Sequence, residues 1–370
     1  MIGKNLFQAF LFYILLSAFS SSTAQTIHPV ERPAVPFLQI NPDARTAAIG
    51  EAGAATTPDA NSLNSNSSKL AFIESKYGFS LAYSPWLKSL VPDMYLSYLS
   101  AFYRLSDRNT IGASVRYFSM GEIQLTDDNM QSLGSYRPND IAIDITMARR
   151  FGDSFSLGGS LRYIQSGITA TPLNNGQSGQ TLSALAVDFS AYYQQQRQLF
   201  GKTTKLSAGL ALSNVGTKMN YPSGDTPYFL PANAKLGFAA GFGWLEDSQF
   251  TLAFDLNKQL LPTGTDDPLT TDVSVASAIV KSFGDAPGGF KEEWSEVSMG
   301  GGIEYLHKQQ FAIRAGYLYK NPEKGDFSYL TAGVGFRYQF MNIDFAYIIA
   351  NQQKNPLGSS LRFTLLLNFN

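Results

Sequence analysis

The sequence predicts an all-β fold, a transmembrane outer-membrane barrel of about 14 antiparallel strands that follows an N-terminal plug segment. Three observations lead to this prediction: an export signal, strand-type alternation from residue 77 onward, and connections that alternate between short and long. Charged residues make up only 15% of the chain, whereas soluble proteins carry about 25%. Part of the surface is therefore expected to face lipid.

The first element, residues 1–24, is expected to be a cleavable signal peptide. Lys4 supplies a positive charge, an apolar run extends from Leu6 to Phe19, and a small-residue cleavage site ends at Ala24. A membrane anchor is the alternative, but the apolar run has about 14 residues and a spanning helix needs about 20. No later stretch is long enough for a spanning helix, so a mature chain in a membrane requires a closed barrel.

The second element, residues 25–76, lacks the alternation and is rich in Ala, Asn, Ser, Gly and Pro. A folded plug inside the barrel and a loose periplasmic tail both fit this composition. The partly apolar run 37–42 favours the plug, because a disordered tail would carry more charge.

The third element, residues 77–370, alternates apolar with small or polar residues, as Ile111, Ala113 and Val115 do with Gly112 and Ser114. A soluble sandwich or a long-stranded soluble barrel shares this alternation. Strands of roughly 10 to 13 residues suit a tilted bilayer crossing, whereas soluble strands cluster near 5 or 6. The strands are predicted at 77–84, 94–104, 110–122, 139–151, 155–168, 182–196, 204–216, 233–244, 249–259, 295–307, 310–319, 328–340, 342–351 and 360–369.

The lengths of the connections separate a membrane barrel from a soluble one. Short connections alternate with long ones, and the long ones are 85–93, 123–138, 169–181, 217–232, 260–294, 320–327 and 352–359. Short periplasmic turns and long extracellular loops are typical of outer-membrane barrels. An even number of strands then puts both termini in the periplasm.

Inward-facing arginines leave the state of the lumen open. They either line a channel or bond across the lumen and fill it, and with a plug present we expect a closed interior. These residues are Arg116, Arg162, Arg314, Arg337 and Arg362.

The residues needed for catalysis or metal binding are nearly absent, so we expect no enzyme, no metal and no cofactor. The chain has no cysteine and two histidines, His28 and His307, which is too little for a metal cluster or a catalytic triad. Gly152-Asp153-Ser154 resembles the start of a lipolytic motif, but the same residues suit a tight turn. A net charge of -1 without a basic tract argues against nucleic acid as a partner.

The long loops contain more apolar residues than solubility requires. Exposed apolar segments usually mark binding surfaces, although such residues can also pack on one another and cap a barrel. The candidates are Trp86, Leu87 and Leu90 in the first long loop, Tyr228, Phe229 and Leu230 in the fourth, and Phe283 and Phe290 in the longest.

Two blocks of sequence resemble the PorV family. The second block holds Ser84-Pro85-Trp86-Leu87 and the following residues to 100, and the chain departs from the family pattern at 64–69. The first block runs through 37–45, 49–53 and 55–62 and contains Pro42, Asp43, Arg45, Gly50, Gly53, Pro58, Asp59 and Asn61.

The resemblance implies an outer-membrane component of the type IX secretion system of Bacteroidetes, with a barrel similar to that of FadL transporters. Family members bind the C-terminal signal domain of secreted cargo at the translocon barrel SprA (Sov) and carry it to the attachment complex that contains PorU. Outer-membrane lipid and lipopolysaccharide are the other expected partners. A FadL-like transporter of hydrophobic small molecules is the alternative, and the scarcity of histidine disfavours an enzyme acting on lipid A.

Overall fold

The computed structural model describes residues 33–87, 91–126, 129–168, 180–199, 201–221, 227–243, 247–263, 273–324, 328–350 and 360–370. The predicted signal peptide, His28 and Leu90 lie outside these ranges.

Within these ranges, 14 antiparallel strands close into a barrel, which confirms the predicted fold class. Each barrel strand pairs with its neighbour in the chain, and the last pairs with the first from Tyr77↔Phe369 to Tyr83↔Phe363. The barrel strands are β1 (Tyr77–Pro85), β2 (Met94–Arg104), β3 (Asn109–Met120), β6 (Asn139–Phe151), β7 (Phe155–Ser166), β8 (Leu182–Leu199), β9 (Lys202–Gly216), β10 (Asn233–Gly243), β11 (Gln249–Gln259), β12 (Ser298–His307), β13 (Phe311–Tyr319), β14 (Tyr329–Tyr338), β15 (Met341–Ala350) and β16 (Ser360–Phe369).

The connections define two ends of the barrel. The short-turn end carries the connections 105–108, 152–154 and 308–310. The long-loop end carries the hairpin β4 (Ile123–Thr126) and β5 (Ser132–Tyr136), helix α3 (Val275–Lys281), helix α4 (Phe290–Ser295) and a 3-10 turn (Pro322–Lys324). The hairpin lies within the connection 123–138, where the sequence predicts no strand.

The wall has its apolar side chains outside and its polar side chains inside. On β3, Ile111 and Val115 are exposed, whereas Thr110, Ser114 and Arg116 are buried. A soluble barrel would bury the apolar face, so this inversion is typical of a wall that faces lipid.

Outward aromatic side chains form a band near each end of the barrel. Near the short turns, the rings of Tyr77 and Phe369 lie 5.1 Å apart. Near the long loops, Tyr83 and Tyr95 lie 5.5 Å apart. On β2 the span from Tyr95 to Tyr103 is about 26 Å at ~3.3 Å per residue. Two aromatic bands at this separation fit the two interfaces of a bilayer.

The N-terminal segment, residues 33–76, lies inside the barrel as the predicted plug. Its regular parts are a 3-10 turn (Pro36–Gln39), α1 (Ala44–Ala48), α2 (Ser62–Ser65) and a second 3-10 turn (Ser67–Phe72). Asp43 caps α1, because its carboxylate accepts a hydrogen bond from the Thr46 backbone N–H at 2.8 Å. None of the helices described has the length and hydropathy needed to cross a membrane.

Candidate binding site at the long-loop end

Arg45 of α1 is the centre of a buried ion network between the plug and the wall. Its Nε and Nη2 donate to the Glu304 carboxylate at 3.0 and 2.9 Å, and its Nη1 lies 3.3 Å from Asp59. Glu304 of β12 also accepts from Arg314 Nε at 2.6 Å, and Arg314 Nη1 donates to Asp344 at 2.7 Å. Removing one member of such a network leaves a buried charge unpaired, so the network holds α1 against the wall.

Carboxylates on both the wall and the plug add further ties. Asp255 of β11 accepts hydrogen bonds from the backbone N–H groups of Gly53 and Ala54 at 2.8 and 2.9 Å. Glu51 of the plug lies 3.0 Å from Arg362 Nη1 on β16. These two contacts lie five strands apart around the barrel, so the plug is attached to the wall at separate positions.

The inward arginines bond to the plug or to nearby strands of the wall. Arg116 Nη1 donates to the Leu38 carbonyl at 2.9 Å, and its Nη2 donates to the Asn64 side chain. Arg162 pairs with Asp144 at 2.5 Å and with Asp188 at 2.9 Å. With Arg314 and Arg362 also buried and paired, the filled lumen is favoured over the channel, while Arg337 is only half-buried.

Glycines on the inner wall let the plug backbone approach closely. A Cβ atom at Gly316 would overlap Gly50 N, and one at Gly209 would overlap the Ala54 carbonyl. At Gly158 it would lie 2.6 Å from Ser68 N. A methyl group at any of these positions requires the plug to move.

Four of the plug residues named in the family resemblance, Arg45, Gly50, Gly53 and Asp59, take part in these contacts. Gly50 has a φ of 69° and no room for a Cβ atom beside Tyr317 N at 2.7 Å, so both its conformation and its packing require glycine. Burial raises the pKa of the Asp43 carboxyl to about 6, and the nearby charge of Asp59 adds to the shift. Pro42 and Asn61 are buried and Pro58 is half-buried.

A cavity of about 870 Å³, here called the vestibule, lies between the plug and the long-loop end. Its volume is within the range of about 300–1,000 Å³ that ligand sites occupy. Phe37 of the plug stacks on Phe118 of β3 with ring centroids 6.2 Å apart. The apolar lining further includes Val35, Ile40, Trp86, Leu87, Met94, Met120 and Ile123, and the polar lining includes Asn214, Lys235, Asn257, Gln259 and Lys320.

Seven of the eight loop residues predicted to meet partners lie in the described ranges, and they form three groups. Trp86 and Leu87 line the vestibule. Tyr228, Phe283 and Phe290 are exposed, with Phe290 at 83%. Phe229 and Leu230 are buried, and Phe229 packs on Leu261 and Ala278, so these two residues cap the barrel as the alternative interpretation proposed. The eighth, Leu90, is outside the described ranges.

Ion pairs hold the longest loop beside the vestibule. Lys258 of β11 lies 2.9 Å from Glu293 and 2.7 Å from Glu296, and Lys324 of the next long loop lies 2.6 Å from Glu292. Glu296 and Lys324 also line the vestibule. The exposed residues Val280, Phe283, Phe290 and Trp294 therefore belong to a fixed platform at the rim of the cavity.

Sequence reasoning missed most of the vestibule lining. Met94, Phe118 and Met120 lie in strands, where they were counted as ordinary wall residues. Near the long-loop end the inward positions change from polar to apolar, as at Leu96 and Ile164. That change is the signal that could have revealed an apolar chamber.

Metal-binding side chains do not come together in groups of three or more anywhere in the described ranges. The candidate site combines an apolar chamber, its plug floor and an apolar rim.

Comparison with solved structures finds barrels of similar fold. The P. putida toluene transporter TodX is 11% identical and covers 90% of this chain and 99% of its own, with a TM-score of 0.50, so the two share a fold. A Pseudomonas aeruginosa FadL homologue is 12% identical, with coverages of 92% and 100% and a TM-score of 0.47. The Ralstonia pickettii toluene transporter TbuX is 14% identical, with coverages of 90% and 98% and a TM-score of 0.46.

No curated protein sequence matches the chain. The family described as type IX secretion system protein PorV matches residues 23–266, which is more than half of the chain. The chain therefore belongs to the PorV family, as an outer-membrane β-barrel of the type IX secretion system.

Proposed function

We propose that this barrel binds the C-terminal signal domain of secreted cargo at the translocon barrel SprA (Sov) and delivers it to the attachment complex that contains PorU. The observation that carries the proposal is the apolar vestibule above a lumen filled by a tethered plug. A chamber of this kind can receive part of a partner but offers that partner no route through the barrel.

The proposal includes an orientation in the membrane. The short-turn end and both termini lie in the periplasm, and the vestibule and its rim lie outside the cell, where cargo leaves the translocon. The short-long rhythm of the connections supports this orientation, because outer-membrane barrels keep their short turns in the periplasm.

The chemistry of the site suits a protein partner. Interface hot spots are buried aromatic and aliphatic side chains that enter well-packed pockets, surrounded by a rim that excludes water. The vestibule supplies the pocket, with Trp86, Phe118 and Met120 in its lining. The platform with Phe283 and Phe290 supplies an apolar rim.

Deleting the gene in its host tests the proposal. We expect cargo that bears the signal domain to accumulate in the periplasm and to reach the surface again when the wild-type gene is restored. Normal surface display in the deletion strain would contradict a role in secretion.

The fourth long loop refines the test, because Tyr228 and Phe229 are neighbours with different surroundings. Tyr228→Ser should weaken co-purification of cargo or translocon without unfolding the loop, since Tyr228 is exposed. Phe229→Ser should destabilise the loop itself. Phe229 is buried, so removal of its ring leaves a cavity in the loop packing. Unchanged pull-down of both partners by Tyr228→Ser would exclude this loop from the interface.

A second candidate function is FadL-like transport of hydrophobic small molecules, which the apolar lining of the vestibule also fits. Retention of a fatty acid in the purified barrel, together with loss of its uptake in the deletion strain, would support transport. Cargo that accumulates in the periplasm of the deletion strain, with unchanged fatty-acid uptake, would support the secretion role instead.

A further inference from the structure

A second cleft, of about 660 Å³, lies on the outer wall of the barrel and is here called the outer-wall groove. Its sides are formed by Leu206, Phe238, Leu252, Phe254 and Ile303. Most of these side chains are exposed on the face that meets lipid, with Phe238 at 49%. The volume is again within the range of about 300–1,000 Å³ found for ligand sites.

The strand register explains why the wall is concave here. Ala208 on β9 lies between Tyr193 on β8 and Phe238 on β10. Ala240 on β10 lies between Leu206 on β9 and Leu252 on β11. Because side chains two residues apart share a face, Ala208 and Ala240 point outward beside their large neighbours and form a floor at backbone level.

The floor continues toward β12 through a residue without a side chain. On β12 the lining consists of Gly302, which lies opposite Ala253 and has no side chain, and the exposed Ile303. The groove therefore crosses several strands in a layer where a membrane offers only lipid tails to fill it.

The next row toward the short turns carries the groups expected at a membrane interface. Across the strands this row contains Arg197, Thr204, Phe242, Phe250 and Tyr305 in register. The rings of Phe242 and Phe250 lie 5.3 Å apart, as part of the aromatic band near the short turns. Aromatic bands of this kind lie at the level of the lipid headgroups.

Arg197 is the cation of this row. It is exposed on the outward face of β8, two residues beyond Gln195 of the groove lining, which is about 7 Å along the strand. It forms no ion pair with any residue of the described ranges. A guanidinium group binds a phosphate through two parallel hydrogen bonds, so an anionic headgroup fits this position.

We propose that the outer-wall groove holds one acyl chain of a phospholipid from the leaflet next to the short turns, and that Arg197 binds its phosphate. The apolar floor and sides match the chain, and the guanidinium lies at the level of the headgroup. The groove includes no residue of the vestibule or the loops. This inference therefore does not depend on the proposed role in cargo delivery.

Native mass spectrometry of the full barrel tests this inference. The barrel is purified in a mild detergent and incubated with phosphatidylethanolamine. We expect one retained lipid in the wild type and loss of that lipid in an Ala208→Trp/Ala240→Trp variant, whose indoles fill the groove. Arg197→Gln should retain the lipid more weakly than the wild type, because it keeps the groove and loses the phosphate partner.

An outward-facing alanine pair elsewhere on the wall provides the matched control. Ala101 on β2 lies opposite Ala113 on β3, and Ala101→Trp/Ala113→Trp should keep the lipid. Heat-modifiable migration on gels reports whether each variant has folded.

Three outcomes would overturn the proposal: no retained lipid in the wild type, equal retention in the folded groove variant, or preferential retention of lipopolysaccharide. A photocrosslinking residue at position 240, used in cells, shows whether a lipid or a protein occupies the groove. A protein adduct in place of a lipid adduct would assign the groove to a partner barrel.

Discussion

The two halves of the lumen differ in what their inward side chains hold. In the short-turn half, polar side chains of the wall bind the plug: Glu304 pairs with Arg45, and Asp255 accepts a hydrogen bond from Gly53 N. Glycines of the wall let the plug backbone approach it closely. In the long-loop half, Trp86 and Met120 line a cavity. One wall thus binds its own chain through polar contacts and offers apolar contacts at its other end. The Arg45–Glu304 network and the wall side of the vestibule therefore consist of different residues and can be changed separately.

The largest expected effect is the release of the plug by Glu304→Ala. This change takes a carboxylate from both Arg45 and Arg314, and breaking a buried ion pair costs about 3–5 kcal/mol. Hydrogen exchange of residues 44–62 should accelerate at least about a hundredfold, since 1.4 kcal/mol is tenfold. The wall side of the vestibule, with Trp86, Phe118 and Met120, should keep its structure, because none of these residues belongs to the network.

Arg137→Ala serves as the control for this experiment. Arg137 pairs with Glu122 at the exposed surface, so its loss should leave exchange in the plug unchanged. Equal exchange in Glu304→Ala and the wild type would contradict the importance of the network.

The next effect concerns the vestibule. Trp86→Ser combined with Met120→Ser should weaken binding of a cargo signal domain at least about tenfold, the scale of interface hot spots. Exchange in the plug should stay as in the wild type, because neither residue contacts the ion network. Isothermal titration with the purified signal domain measures the affinity, and unchanged affinity would exclude the vestibule from the interface.

A smaller effect should follow from one added methyl group at the plug–wall contact. Gly316→Ala places a Cβ atom against Gly50, and overpacking costs about 1–3 kcal/mol. Gly159→Ala is the matched control, because its Cβ atom would have Asp188 O at 3.7 Å as its nearest neighbour. Limited proteolysis of the plug should distinguish the two variants; equal cleavage would show that the close approach is unimportant.

The smallest effect should come from pH. Burial raises the pKa of Asp43 to about 6, so the folded plug prefers the protonated carboxyl. The stabilisation is fully present below the unfolded pKa of about 4 and is lost as the pH rises through the folded value. Exchange in α1, corrected for intrinsic rates, should therefore be slower at acidic than at alkaline pH.

Asp43→Asn provides the check. Its amide oxygen can still accept a hydrogen bond from Thr46 N, but the amide does not titrate. The pH dependence should shrink in this variant. If it persists in full, the titration of Asp43 does not cause it.

Strand positions and the filled lumen could be predicted from the sequence for a physical reason. Alternation is a local pattern, and a lipid-facing wall repeats it in every strand, so β2, β6 and β11 begin and end where predicted. Strand β12 begins at Ser298, three residues after the predicted start, because residues 290–295 form α4.

The site was less predictable because it depends on contacts between distant segments. Phe229 and Phe290 are both aromatic loop residues, yet one packs against Leu261 and the other is exposed. Phe118 alternates correctly within β3, and only the approach of Phe37 from the plug makes it part of a chamber. Local patterns contain no information about such partners.

Hydrogen exchange of the full barrel, with and without a cargo signal domain, tests the central claim most directly. The account predicts that segments around Trp86, Phe118 and the platform gain protection on binding, while residues 44–73 exchange as slowly as before. Faster exchange in the plug on binding, with no added protection at the long-loop end, would contradict it. That result would point to a lumen that opens for its cargo.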